Sequence, residues 1–196
     1  MKKIILTAMT GMLLAAGFAH AEAGDVLVRG RFALITPDVE SDLKGLDVER
    51  KAIPELDFTY FITKNIAAEL ILGTAKHSVS LNNQIIGKVS HLPPTVTVQY
   101  HFLPDSTIRP YVGAGLNYTR FYDIKLADGT LTVDKNSFGG ALQAGVDFAV
   151  SKNSFINLDL KKIYISTDVK STATGAKVTK LDVDPLVFGI GYGMRF

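Results

Sequence analysis

Residues 181–196 read LDVDPLVFGIGYGMRF. From Leu186 onward, large apolar side chains occupy every second position, while mainly glycines and Arg195 occupy the positions between them. This alternation indicates a β-strand with two different faces. Glycines and an arginine would make a poor hydrophobic core. The bulky face is therefore predicted to contact lipid, and the small, polar face is predicted to line a lumen.

A strand of this kind needs a partner on each edge, because unpaired backbone groups cannot lie in hydrocarbon. The final strand is therefore predicted to pair with the first one in a closed barrel. Seven further segments alternate in the same way, and they cover residues 25–36, 54–63, 66–74, 92–102, 108–122, 137–150 and 155–167.

Short turns and long connections alternate between these segments. Lys64, Asp105 and Lys152 mark the three short turns. Four long polar segments, at residues 37–51, 75–90, 123–136 and 168–180, are predicted to be loops. The pattern predicts an all-β fold, an eight-stranded antiparallel up-and-down transmembrane β-barrel with external loops and periplasmic turns.

The first residues have the pattern of a secretory signal peptide. Lys2 and Lys3 precede an apolar run over residues 4–18, and Ala19-His20-Ala21 is a small-x-small cleavage site. Such a segment is removed on export. We predict a cleaved signal peptide over residues 1–21, an outer-membrane β-barrel over residues 22–196, and localisation in the outer membrane.

Composition excludes several other classes of protein. Residues 22–196 hold 19 basic and 19 acidic residues, because the signal peptide contains two of the 21 lysines and arginines and no acidic residue. A net charge of zero gives no indication of a nucleic-acid partner. There are no cysteines, which excludes disulfides and thiolate metal sites. Beyond the signal peptide no run of 18 apolar residues could form a helical span.

Many charged residues occupy inward positions of the predicted strands. Eight strands leave a barrel that its own side chains nearly fill, and buried charges need partners. We therefore predict a plug of ion pairs in the lower lumen, with a gated polar path for ions as the alternative. The predicted inward set is Arg29, Arg31, Glu55, Asp57, Glu69, Arg109, Asp147, Asp159, Lys161 and Arg195.

Four stretches resemble the outer membrane protein W family. They are HLPPTVTVQYHF at residues 91–102, RPYVGAGLNY at residues 109–118, QAGVD at residues 143–147 and the ending from DVDP at residues 182–185 to Arg195-Phe196. The resemblance implies a narrow, rather apolar lumen and passive uptake of small hydrophobic molecules, with release sideways through the wall. The terminal Phe196 resembles the signal read by the barrel-assembly machinery. Lys161 differs from the family, whose members often have an inward aromatic residue there.

Uptake of a hydrophobic solute requires an apolar pocket near the external end. The predicted lining residues are Leu27, Ala33, Ile35, Leu43, Leu46, Phe121 and Ile163. The predicted partners are small hydrophobic solutes and the lipid and lipopolysaccharide of the outer membrane. No cofactor is predicted.

Other functions remain open at this stage. His77-Ser78 and Ser90-His91 near the external rim allow a lipid A-modifying enzyme, but adjacency does not supply the hydrogen-bonded Ser–His pair and orienting group that nucleophilic catalysis needs. We therefore predict a protein that is not an enzyme. No metal-ligand spacing recurs among the histidines.

Binding functions also remain open. Asp182 and Asp184 could hold a divalent ion that bridges lipopolysaccharide, although a solvated rim is the simpler interpretation. A structural, adhesive or receptor barrel that acts through its external loops is a further alternative. A soluble lipocalin-like carrier would also have eight strands, but its apolar face would point inward.

Overall fold

The computed structural model describes residues 22–196, so the predicted signal peptide lies outside the described residues. No helix in this part of the chain is long and apolar enough to cross a membrane. One short 3₁₀ turn covers Ala127–Gly129. The strands are β1 (Val26–Thr36), β2 (Glu40–Ser41), β3 (Leu46–Val48), β4 (Lys51–Phe61), β5 (Ile66–Gly73), β6 (Ala75–Leu81), β7 (Gln84–Leu92), β8 (Thr95–His101), β9 (Ile108–Leu126), β10 (Leu131–Val133), β11 (Asn136–Ala149), β12 (Ser154–Ile163), β13 (Ser166–Ser171), β14 (Lys177–Asp182) and β15 (Leu186–Arg195).

Eight of these strands form a closed antiparallel barrel, which confirms the predicted fold class. They follow one another around the ring in the order β1, β4, β5, β8, β9, β11, β12 and β15. The last strand, β15, pairs with β1 over ten residues and closes the ring.

Side chains alternate between lipid-facing and inward positions along each barrel strand. Large outward side chains remain exposed, with Phe32 at 74%, Leu116 at 72% and Phe138 at 80%. In the middle of the barrel, small or polar residues occupy the inward positions, and Gly113 leaves room there for the side chains of Gln99 and Gln143. This arrangement places the apolar surface outside, as a bilayer requires.

Two predicted loops are β-hairpins instead. Residues 75–90 fold into β6 and β7, joined by the two-residue turn Asn82–Asn83, in which both residues have positive φ. Residues 168–180 fall largely within β13 and β14. Exposed lysines interrupt the apolar pattern in both segments, but alternate residues such as Val79 and Val169 are buried. These hairpins extend the barrel wall beyond the membrane.

Prolines shift several predicted boundaries. Leu181 belongs to β14, and the final strand begins at Leu186, after Pro185. Leu92 ends β7 rather than starting the next barrel strand, because Pro93 and Pro94 separate β7 from β8. The second barrel strand begins at Lys51, so Pro54 lies inside it and not at its start.

The interior has three layers along the barrel axis. A large apolar cluster, which includes Ile35, Phe121 and Leu181, fills the end formed by the hairpin extensions. A small apolar cluster around Phe61 and Phe155 lies near the short turns. Buried charged side chains occupy the lumen between them.

Candidate functional site

An apolar cavity lies inside the extended, external end of the barrel. The long strand β9 contributes Phe121 and Leu126 to its wall, and the hairpin strands contribute Val79, Val89 and Val169. Carbon atoms form almost all of its surface, and the enclosed space is about 90 Å³. An apolar cavity of about 150 Å³ accepts benzene. This cavity is smaller than that, so its free space matches only part of a small apolar molecule.

Most of the predicted apolar residues lie at this cavity or next to it. Ile35, Leu43, Leu46 and Phe121 line it. Ala33 and Ile163 are buried in the same apolar cluster without being part of the cavity lining.

The placement of Leu27 was wrong. Leu27 packs in the small cluster at the periplasmic end, with Phe61, Ala67 and Phe155. It lies at the start of β1, which enters the barrel from the periplasmic side, so its inward orientation cannot bring it to the external end.

Of the 22 residues that line the cavity, four were predicted to do so: Ile35, Leu43, Leu46 and Phe121. Ile165 lies in a segment predicted to be a strand, and most of the other apolar lining residues lie in segments predicted to be loops. These apolar residues are Val48, Val79, Leu81, Ile86, Val89, Leu126, Leu131, Val133, Ile165, Val169, Leu181 and Val183. The period-two spacing of Val79 with Leu81 and of Leu131 with Val133 was the available signal.

Two histidines lie at the cavity wall and bond to each other. His77 Nδ1 is 2.6 Å from the backbone oxygen of Glu49, and His77 Nε2 is 3.1 Å from His91 Nε2. A carbonyl oxygen only accepts, so His77 donates through Nδ1 and accepts from His91 through Nε2. Burial lowers the pKa of His77, which keeps it neutral at pH 7. The pair is thus uncharged and turns its bonded nitrogens toward protein.

The adjacent serines do not form a catalytic pair with these histidines. Neighbouring residues on a strand point to opposite faces, so Ser78 and Ser90 lie on the outer side while His77 and His91 lie inside. Within residues 22–196, no hydrogen bond joins either serine to a histidine. Residues 22–196 also contain no group of three His, Asp or Glu placed to hold a metal ion.

Asp182 and Asp184 already have partners in the rim. Asp182 pairs with Lys180 at 2.9 Å, and Asp184 accepts the backbone N–H of Ile165 at 2.8 Å. Asp184 also has a positive φ of 25°. Both carboxylates hold the local chain path.

Below the cavity, Arg29 is the centre of a buried ion-pair network. Its guanidinium makes two hydrogen bonds to Asp147, of 2.9 and 3.3 Å, in the bidentate geometry that arginine favours. It also contacts Asp57 at 3.0 Å and Glu69 at 3.3 Å. Thr59 accepts a further bond of 2.9 Å. Strand β1 supplies the cation, and three other strands supply its carboxylates.

Arg31, two residues along the same face of β1, continues the network toward the cavity. It contacts Glu55 at 3.0 Å, Asp57 at 2.9 Å and Glu69 at 3.2 Å. Its Nε donates to Asn157 at 2.7 Å. Asp57 and Glu69 are thus shared between two arginines, which fixes both side chains in the lumen.

Lys161 completes the upper part of the network. Its ammonium group is 2.6 Å from Glu55 and 2.8 Å from Asp159. Asp159 also accepts hydrogen bonds from Tyr111 and Gln143, both of 2.8 Å. Lys161 therefore adds a buried cation to the layer directly beneath the cavity.

Arg109 and Arg195 lie toward the periplasmic end, where Arg109 is the cross-strand partner of Asp147. Both guanidinium groups lie over the ring of Phe155, with their central carbons 4.8 and 4.9 Å from the ring centroid. Arg109 also donates to the backbone oxygen of Ser106, and Arg195 lies 3.5 Å from Asp25. All ten predicted inward charged residues are thus buried.

Tyr111 is a plug residue that the sequence analysis did not select. It is 1% exposed and bonds to Asp159, Asn157 and Arg31. Its position has the same parity as Arg109 and Gly113, so alternation could have identified it.

The barrel wall has a local gap between the cavity and the plug. Pairing of β5 with β8 stops at Ile71 and Thr95, and pairing of β6 with β7 resumes at Ala75 and His91. On one side the intervening residues are Leu92, Pro93 and Pro94, and the two prolines have no N–H to donate. Asn117 bonds to both proline oxygens from inside the barrel, at 3.2 and 3.4 Å.

Comparison with protein families gives one match over the whole described chain. The OmpW family model matches residues 22–196. Outer membrane protein W of Escherichia coli is 34% identical over 216 aligned positions, with full coverage of both chains. The uncharacterized outer-membrane protein y4mB of Sinorhizobium fredii is 42% identical over 80% of this chain and 69% of its own length.

A more distant relative is the dibenzothiophene metabolism operon protein PahQ of Pseudomonas aeruginosa. It is 32% identical over 57% of this chain and 53% of its own length.

Two solved structures share the architecture. The crystal structure of the outer membrane protein OprG from Pseudomonas aeruginosa has a TM-score of 0.79 and 30% identity, over 91% of this chain and 98% of that one. The solution structure of Escherichia coli outer membrane protein W has a TM-score of 0.67 and 32% identity, over 89% and 99%.

Proposed function

Because the chain belongs to the OmpW family of outer-membrane β-barrels, we propose that it carries small hydrophobic molecules across the outer membrane by passive binding and diffusion. The observation that carries the proposal is the cavity at the external end, whose surface is carbon almost throughout. Such a site attracts apolar solutes, because their burial removes about 25 cal/mol of unfavourable free energy per Å² of apolar surface.

The size of the cavity suits a conduit. A space of about 90 Å³ encloses only part of a typical drug-sized molecule, so binding is weak and release is fast. The relative PahQ is named for a dibenzothiophene metabolism operon, and this name agrees with apolar aromatic compounds as a substrate class.

The plug determines the route that a bound solute can take. Arg31, Lys161 and their carboxylates lie directly below the cavity, and an apolar solute moving straight down would have to separate these buried ion pairs. Breaking one side of such a pair costs about 3–5 kcal/mol. Strand pairing is broken beside Pro93 and Pro94, and the solute is soluble in the lipid outside the wall, so this place is the proposed route for release sideways into the bilayer.

Uptake of a radiolabelled naphthalene tracer tests the proposal. Cells that produce the protein should accumulate the tracer faster than cells that lack it. Ile35→Asp or Phe121→Asp places a carboxylate in the cavity wall and should lower the initial rate about tenfold, which corresponds to 1.4 kcal/mol. Ile85→Asp is the matched control, because Ile85 is 69% exposed on the hairpin and does not line the cavity.

Folding must be checked for each variant by the altered gel mobility of the unheated barrel. Unchanged uptake by a folded Ile35→Asp or Phe121→Asp protein would contradict the proposal. Single-channel recording in a planar bilayer gives a second criterion. A large ionic current without any effect on tracer uptake would indicate a polar pore instead.

A further inference from the structure

A cluster of lysines lies on the outer surface of the wall formed by β6, β7 and β9. Tyr122 on β9 is an exposed outward residue, and its hydroxyl lies 2.6 Å from that of Thr74. Tyrosines with one polar end mark the membrane–water boundary of barrels. Lys76 follows Thr74 by two residues on the same face of the chain, so it lies one step beyond this boundary, at headgroup height.

Lys88 and Lys125 face each other directly at the same height. They are cross-strand partners in the pairing of β7 with β9, and both are exposed. Like charges at directly opposed positions repel each other and destabilise a sheet. An anion bound between them would turn this repulsion into attraction.

A β-bulge shapes the wall at this point. Between the pairs Lys88–Lys125 and Ser90–Tyr122, β9 contains one residue more than β7. The extra residue allows Asp123, with a φ of 45°, to turn outward, where it contacts Lys76 and Lys125. Bulges of this kind redirect side chains.

The close approach of the two strands leaves an open groove beside the bulge. A Cβ on Gly87 would lie 1.9 Å from the backbone oxygen of Lys125, so only glycine permits this approach. Ile86 and Ile124 form part of the groove, together with the three lysines. Its acidic lining residue is Asp128, and Asp123 lies beside it. The local charge of the groove and its border is therefore positive.

We propose that this groove, with Lys76, Lys88 and Lys125, binds a phosphate group of lipopolysaccharide in the outer leaflet. Lysine ammonium groups are effective point charges for phosphate. The groove lies on the lipid-facing side of the wall, and the chain resides in the outer membrane. Its position beside the interfacial Tyr122 matches the height at which phosphorylated headgroups meet the acyl region. This inference does not depend on the transport function, because the three lysines of the groove are exposed and none of them lines the cavity.

Binding of radiolabelled deep-rough lipopolysaccharide to the full-length mature barrel in detergent micelles tests the proposal. The variant Lys88→Gln/Lys125→Gln should bind about tenfold more weakly than the unmodified protein, because each lysine near an anionic surface contributes attraction. Lys64→Gln/Lys152→Gln is the matched control. It removes the same charge at the short turns of the opposite end, so it should bind like the unmodified protein.

Three further arms identify the ligand. With dephosphorylated lipopolysaccharide, the two double variants should bind with equal affinity. Excess inorganic phosphate should not compete at millimolar concentration if the site recognises the headgroup in its lipid context. Binding should persist in EDTA, because lysines need no bridging cation.

Several outcomes would overturn the proposal. One is that the Lys88→Gln/Lys125→Gln variant binds lipopolysaccharide as tightly as the unmodified protein does. Another is that both double variants lose the same amount of affinity, because this result would indicate nonspecific charge attraction. Complete loss of binding in EDTA would indicate a divalent-cation bridge, and competition by phosphate would indicate a free-anion site.

Discussion

At the scale of single residues, the lumen depends on the absence of one side chain. Gly145 on β11 lies against the ring of Tyr111, and a Cβ at this position would be 2.4 Å from the tyrosine ring and hydroxyl. Tyr111 in turn donates to Asp159, which pairs with Lys161. The glycine therefore makes room for the residue that connects the two sides of the plug.

We predict that Gly145→Ala destabilises the barrel by about 1–3 kcal/mol, because overpacking forces a buried side chain or backbone to move. Gly30→Ala is the control, since no atom lies within 4 Å of a Cβ at that outward position. Urea unfolding in lipid vesicles measures both. Equal midpoints for the two variants would show that Tyr111 can move without cost.

Residue-level predictions from the sequence succeeded where parity alone decides orientation. Arg29 and Asp147 lie more than a hundred residues apart along the chain, yet the alternation of β1 and β11 was enough to place both inside. Parity does not give height along the barrel axis, which is why Leu27 was assigned to the wrong end. The pairing of specific charges was also out of reach, because it depends on the stagger between strands.

At the scale of elements, the external hairpins were the main features that the sequence did not predict. Their inward faces carry valines and leucines, but their outward faces carry lysines and serines, as in any strand that stands in water on one side. Lys76 and Lys88 made the segment look like a solvated loop. Because the cavity is built largely from these hairpins, much of its lining could not be assigned in advance.

The turn of the β6–β7 hairpin gives a test at this scale. Asn82 and Asn83 have φ values of 51° and 65°, as the central residues of a type I′ turn require. An alanine in this left-handed backbone conformation raises the free energy of the folded state by about 1–2 kcal/mol per residue. We predict that Asn82→Ala/Asn83→Ala increases amide hydrogen exchange along Ala75–Leu81.

The control for this experiment is Asn83→Gly, which keeps the preferred turn sequence and should retain the slow exchange of the unmodified protein. If the alanine variant exchanged as slowly as the unmodified protein, the hairpin would be held by its packing on the cavity and not by its turn.

At the scale of the whole molecule, the barrel has an apolar cavity at its external end, a charged plug below the cavity and a break in strand pairing beside Pro93 and Pro94. The eight-strand count and the closure were predictable, because alternation and the rhythm of short turns fix them. The break in pairing beside Pro93 and Pro94 was not predictable. The sequence indicates that prolines cannot donate a backbone hydrogen bond, but it does not indicate which neighbouring strand lacks its partner.

We predict that Pro93→Ala/Pro94→Ala slows tracer uptake severalfold while leaving the affinity of the cavity unchanged. The restored N–H groups can extend the ladder between β5 and β8 and narrow the gap. Uptake into cells measures the first effect, and equilibrium binding to the mature barrel in micelles measures the second. Pro104→Ala in a short periplasmic turn is the control. Undiminished uptake by the double variant would rule out this exit.

The pairing of β1 with β15 has a consequence for how the molecule is made. The backbone of Phe196 donates a hydrogen bond to Val26 at 2.8 Å and accepts one from Val26 at 3.1 Å. The backbone groups on the free edge of the first strand are therefore paired only once the last strand is in place. A contact between such distant parts of the chain is slow to form, since the entropy of the intervening loop must be lost first. The nascent chain therefore cannot pair its two outer strand edges step by step during synthesis. The exposure of the chain to aggregation and proteolysis therefore depends on how long the barrel remains unclosed. It does not depend on the stability of the closed barrel.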